Sequence, residues 1–137
     1  MRGRNTYDQP TPRSSRSDFW GVVLEAPDAL ALAKFYSTLL GWEMGPSPDE
    51  EEAAIAPPDG VAYIGFQKSA DYVRPVWPAT AGKQRITMHL DFEVTDLATA
   101  VTHAVELGAE EAPHQPQPNV RVLLDPAGHP FCLYVDA

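Results

Sequence analysis

Residues 89–110 read HLDFEVTDLATAVTHAVELGAE, and the change of rhythm inside them decides the fold. From Thr87 the chain alternates, with Met88, Leu90, Phe92 and Val94 on one face and His89, Asp91 and Glu93 on the other. That is the pattern of a strand covered on one side only. After Asp96 the period lengthens. Leu97, Ala100, Val101, Ala104 and Val105 recur at helical spacing, with Asp96 a natural N-cap and Gly108 a natural stop. A helix over 97–107 is therefore predicted to follow the strand and lie on its apolar face.

The first half of the chain carries the same plan. DFWGVVLEAPD, residues 18–28, is an aromatic and β-branched strand, and ALALAKFYSTLLG, residues 29–41, brings Leu32, Phe35, Tyr36, Leu39 and Leu40 onto one helical face between the N-cap Asp28 and the stop Gly41. Glu25 and Glu93 are separated by the same interval as Asp28 and Asp96, and Gly41 and Gly108 by one residue less, which marks an internal duplication. Behind each helix come short strand segments bounded by turn residues: GWEMG, EAAIA and VAYIGFQ in the first half, AEEAP, VRVLL and FCLYV in the second. Each half thus reads β-α-β-β-β, an α+β fold of two tandem modules. Module one spans 18–68, module two 86–136, and a Pro-rich crossover, 69–85, joins them. Tyr72, Val76 and Trp77 give this crossover apolar surface to bury. Arg74 and Trp77 are its candidates for a lid.

Residues 1–17 hold four arginines and scarcely any apolar side chains, so they are expected to form a disordered tail outside the domain. No apolar run follows them, which argues against a signal peptide, and nothing later is long enough to span a bilayer. A net charge of −9 makes nucleic acid an unsuitable partner, since the domain would repel a phosphate backbone. A single cysteine forms no disulfide within the chain, which points to a reducing compartment, the cytoplasm.

Two stretches carry a family resemblance: HLDFEVTDLATAVTHAVELGAE and DPAGHPFCLYV, residues 125–135, with FYSTLLGWE, residues 35–43, in support. Over about residues 18–136 the chain resembles the vicinal oxygen chelate superfamily, in particular its bacterial glyoxalase-like members. The superfamily includes glyoxalase I, extradiol dioxygenases, methylmalonyl-CoA epimerase and bleomycin or fosfomycin resistance proteins. The resemblance implies that the two modules form an incomplete curled barrel around a concave central cavity. It also implies a divalent metal held there by His, Gln or Glu from the first and last strands of each module, acting as a Lewis acid.

Carried onto this chain, the first-strand positions fall at Gly21 and His89, and the last-strand position of module two at Cys132. Gly21 has no side chain to give, and Cys132 stands where metal-dependent members have Glu. In module one the last-strand register has two readings, Gln67 or Ile64, and the match of FQ to FC favours Gln67. The set is incomplete for a hard ion, so no cofactor is expected; were a divalent metal to bind, His89 would be its ligand. His89 and Asp91 are the candidate catalytic residues, an imidazole with a carboxylate to orient it or to act as base. Tyr63, Gln67, Trp77, Glu93, Cys132 and Tyr134 are the candidate substrate contacts. Cys132 is expected to line the cleft as an unreactive thiol, because activation needs a nearby cation.

Two functions follow as expectations: a glyoxalase-like lyase, isomerase or dioxygenase acting on a small metabolite, and a metal-independent protein that sequesters an antibiotic-like molecule. Superfamily members pair modules within or between chains, so a homodimer is also expected.

Overall fold

The computed structural model describes residues 2–136. The chain divides into two compact units, Met1–Ala70 and Asp71–Ala137. Each contains one β-α-β-β-β module, and neither of the two sheets closes into a barrel.

In the first unit, β1 (Trp20–Ala26) leads into α1 (Ala29–Leu40), followed by β2 (Glu43–Met44), β3 (Glu52–Ala56) and β4 (Ala62–Lys68). The sheet order is β1-β4-β3-β2, with β1 parallel to β4 and the other pairs antiparallel. Asp28 caps α1 by accepting a hydrogen bond from the Ala31 N–H at 2.9 Å, and Gly41 ends it at φ 69°, a left-handed conformation that suits glycine. The buried face of α1, Ala29, Leu32, Ala33, Phe35 and Tyr36, meets Ile55, Ile64 and Phe66 of the sheet. The Tyr36 and Phe66 rings stack at 5.8 Å between centroids. Each such large side chain contributes about 1.5–3 kcal/mol on burial.

Upstream of β1, residues 13–15 form one 3-10 turn, Arg13 donates from Nη1 to the Gly60 carbonyl at 2.8 Å, and Arg16 pairs with Asp18.

In the second unit, β5 (Leu90–Glu93), α2 (Leu97–Glu106), β6 (Glu110–Glu111), β7 (Val120–Leu124) and β8 (Pro130–Tyr134) repeat the plan, in sheet order β5-β8-β7-β6. Asp96 caps α2 through the Thr99 N–H at 2.9 Å. Leu123, Phe131 and Leu133 are buried beneath α2 and its flanks.

Two residues depart from the pattern read in the sequence. Met88 is 70 % exposed, and β5 begins only at Leu90. Leu90 pairs with Phe131, so one step earlier the ladder would meet Pro130, which has no N–H to donate. Val105 is 45 % exposed, and Ala104 is the only buried residue of α2, because this short helix covers its sheet along a narrow line.

The turn between β7 and β8 is built on Asp125, whose side chain is fully buried. One carboxylate oxygen accepts from the backbone N–H groups of Ala127 at 2.9 Å and His129 at 3.0 Å, and the other accepts from His129 Nδ1 at 2.8 Å. The crossover is fastened to this turn. Tyr72 donates its hydroxyl to the Ala127 carbonyl at 2.7 Å, and Arg74 donates to that of Pro126 at 3.3 Å while its stem lies over Gly128.

Candidate functional site

β5 and β8 lie side by side in parallel, with Asp91 opposite Cys132 and Glu93 opposite Tyr134. β7 pairs with the other edge of β8 and puts Val122 beside Cys132 and Val120 beside Tyr134. Registered partners project to the same face of a sheet. That face therefore carries Asp91, Cys132, Tyr134, Val120 and Val122, away from the buried Leu133 and Phe131.

A cleft of about 390 Å³ opens on it. It is lined by Val120, Val122, Pro130, Cys132 and Tyr134 of that face, by His89 and Asp91, by Trp77 and Ile86 from the crossover, and by Pro116 and Gln117 from the loop before β7. The Trp77 ring leans on His114, 5.5 Å between centroids.

His89 precedes β5 by one residue, and its Nε2 lies 3.1 Å from Oδ1 of Asp91. Both side chains are about half exposed. Cys132 is partly buried. Desolvation, then the charge of Asp91 and a hydrogen bond to that carboxylate, push its thiol up to about 11. The thiol is therefore protonated at neutral pH, which makes it a hydrogen-bond donor and a poor nucleophile.

Ligating atoms of His89, Asp91 and Cys132 all lie within 4.8 Å of one another. Nitrogen, oxygen and sulfur in one group suit a soft or borderline ion, whereas a hard ion asks for an oxygen-rich shell.

Of the residues singled out from the sequence, His89, Asp91, Trp77, Cys132 and Tyr134 come together in this cleft. Glu93 shares their face but does not line the cleft; it sits two residues beyond Asp91, towards the end of β5. Tyr63 and Gln67 belong to the first module, where β4 pairs them with Gly21 and Glu25 of β1. Ile64 turns inward and is buried, so Gln67 occupies the face that Gly21 occupies. A Cβ added to Gly21 would come within 2.5 Å of the Tyr63 ring. Ile86, Pro116, Gln117, Val120, Val122 and Pro130 were not marked by the sequence reading. Counting outward from Cys132 along β7 and β8 would have identified Val120 and Val122, whereas the loop residues gave no signal.

No helix among the described residues is long and apolar enough to cross a membrane. None of the curated proteins compared matches the chain. Solved structures share its fold at low identity. A possible glyoxalase from Bacillus cereus aligns with a TM-score of 0.62 and 15% identity over 85% of this chain and 96% of that one. A glyoxalase/bleomycin resistance protein/dioxygenase family enzyme from Burkholderia phytofirmans PsJN aligns at 0.60 and 22% identity, over 84% and 95%. The fosfomycin resistance protein FosX of Listeria monocytogenes, complexed with Mn(II) and 1S,2S-dihydroxypropylphosphonic acid, aligns at 0.61 and 16%, over 83% and 86%. The sequence profile of the glyoxalase-like domain matches residues 21–134, nearly the whole of both modules, and the chain belongs to that family.

Proposed function

We propose that the protein binds a compact, uncharged or cationic molecule in the cleft of its second module. Its polar end would meet His89 and Asp91, and its apolar body would lie between Trp77 and the Val120–Val122 floor. The observation that carries this reading is the composition of the cleft: a mostly apolar concavity of about 390 Å³ whose lining includes His89 and Asp91, 3.1 Å apart. No lysine or arginine is among the described residues that line it, while Asp91 is. An anionic ligand would find no counter-charge there, and the net charge of −9 would repel it.

The 3.1 Å contact supports lyase- or isomerase-type work at that end. An imidazole nitrogen can accept or donate a proton, and the Asp91 carboxylate 3.1 Å away orients the ring. The Cys132 thiol donates to the same carboxylate and fixes its position. Binding without turnover is the second reading, favoured by the apolar wall of the cleft. The unpaired Cys132 thiol is in keeping with a cytoplasmic protein.

Thermal-shift measurements on the full chain with matched neutral, cationic and anionic aromatic compounds test the reading. A rise in Tm with neutral or cationic members, lost in Trp77→Ala and reduced for cations in Asp91→Asn, is expected. Stabilisation by anions alone would overturn it. For a ligand so found, solvent deuterium uptake that disappears in His89→Gln separates catalysis from sequestration.

A further inference from the structure

We propose that residues 75–88 form a gate on the cleft: the segment swings as a unit, and the contact of Trp77 with His114 is the latch that limits the size of what enters. The proposal concerns how the cleft opens, so it deepens the reading above and rests on it only for why opening matters.

Two fixed ends bound the segment. On one side, Tyr72 donates its hydroxyl to the Ala127 carbonyl at 2.7 Å, and Arg74 donates to that of Pro126 at 3.3 Å and lies 3.9 Å from the Glu110 carboxylate. The Arg74 stem covers Gly128 so closely that a Cβ there would come within 2.4 Å of it. On the other side, β5 enters the sheet at Leu90. Between these ends the chain is tied only to itself. Among the described residues, the hydrogen bonds of 75–88 close within the segment: the Val76 N–H donates to the Gln84 carbonyl at 2.8 Å, that of Lys83 to the Thr80 carbonyl at 3.2 Å, and the Thr80 hydroxyl to the Pro78 carbonyl at 3.4 Å. Most of these residues are exposed. Internal ties with few outward ones are the pattern of a part that moves against a fixed frame. Of the two residues read as a lid, Arg74 belongs to the frame and Trp77 to the moving part.

The segment lines the cleft through Trp77 and Ile86, and the ring that meets Trp77 stands on a fixed post. Next to His114, Gln115 clamps its loop to β7. Its Nε2 donates to the carbonyls of Ala112 at 2.8 Å and Val122 at 2.9 Å, and its Oε1 accepts from the Val122 N–H at 2.9 Å. The loop that supplies Pro116 and Gln117 is thus held by hydrogen bonds, while the segment that supplies Trp77 and Ile86 rests on a ring contact. A contact between two rings shifts an open–closed equilibrium by roughly two- to tenfold, enough to favour closure and weak enough to release. His114 does not itself line the cleft, so removing its ring frees the segment without widening the closed cleft.

Cys132 is the only cysteine of the chain and lines the cleft, so it reports opening without any ligand. Full-length protein is treated with N-ethylmaleimide and with the bulky, rigid N-(1-pyrenyl)maleimide, and the ratio of the bulky to the small rate is compared with that of the urea-unfolded chain. The raised pKa of the thiol slows both reagents alike and cancels. In the wild type the ratio is expected to lie well below the unfolded value. His114→Ala and His114→Gln, each verified as folded by circular dichroism, are expected to raise it roughly two- to tenfold. Acrylamide quenching of Trp77, read in a Trp20→Phe, Trp42→Phe background, is expected to rise with it. A wild-type ratio equal to that of the unfolded chain would mean a cleft that stands open, and a ratio in the His114 variants no higher than in a Trp20→Phe control would mean that the ring contact latches nothing; either result overturns the proposal. A failed gate alongside ligand-induced stabilisation leaves a rigid cleft and the cleft reading intact; a working gate without any such stabilisation removes the cleft reading alone.

Discussion

The ring of Tyr63 occupies the space in which a side chain on Gly21 would begin, 2.5 Å from where the Cβ would stand. The two residues are registered partners on β4 and β1, so the aromatic covers the gap left by the glycine on its own sheet face. Where the superfamily resemblance calls for a metal ligand, the first module has an aromatic surface.

That relationship predicts coupling. Tyr63→Ala is expected to cost about 1 kcal/mol in the wild-type background and clearly less when Gly21→Ala has already displaced the ring. A double-mutant cycle by urea unfolding measures it, and strict additivity would show that the contact carries no energy.

Cys132 should resist alkylation. With its thiol pushed from 9.0 up to about 11, the thiolate fraction at pH 8 is roughly a hundredfold below that of an ordinary cysteine. Iodoacetamide modification is expected to be correspondingly slow and to accelerate in Asp91→Asn, which removes both a charge and a hydrogen bond. The sign for stability follows. Below pH 9 both states keep the proton, and between 9 and 11 only the unfolded state releases it, so stability falls across that window and levels off above it. Chemical unfolding from pH 8 to 11 reads the trend.

Asp125 holds the β7–β8 turn, and through it the crossover. Asp125→Ala would strand two backbone N–H groups and the His129 ring, at a cost of about 3 kcal/mol. Tyr72→Phe removes the hydroxyl's hydrogen bond to the Ala127 carbonyl at 2.7 Å and its longer contact with His129 Nε2 at 3.4 Å. It is expected to cost about 1 kcal/mol and to raise amide exchange across 71–86 while leaving β7 and β8 protected. Uniform exchange in that variant would mean that the crossover is not held at the turn.

The cap of α2 is pH-dependent in a stated direction. The backbone N–H of Thr99 holds the Asp96 carboxyl below its usual value, so this contribution is complete above pH 3.8 and is lost as pH falls through the lowered value. Asp96→Asn should flatten the acid limb of the unfolding curve relative to wild type. An unchanged acid limb would show that other carboxylates set it.

Local rules sufficed for much of this molecule. Asp28, Gly41 and Asp96 punctuate their helices because capping is a contact between residues three or four apart, which spacing alone reveals. The duplication and the α+β class were legible for a similar reason: both modules repeat one hydrophobic rhythm. In the candidate site, the alternation of β5 and of β8 is enough to put Asp91, Cys132 and Tyr134 on the face opposite the buried Phe131 and Leu133.

What tertiary structure decided is which distant residues meet. Pro130 withholds the N–H that would have drawn Met88 into the sheet, an effect visible only once β5 and β8 are paired. Glu93 has the right face and the wrong place along it. Trp77, Ile86 and Gln117 close the cleft from loops without periodicity, held by contacts such as Tyr72 on Ala127 that link residues 55 positions apart. Sequence rhythm reports which way a side chain faces, because that depends on a few neighbouring dihedrals. How far it stands from a partner depends on the whole path of the chain between them.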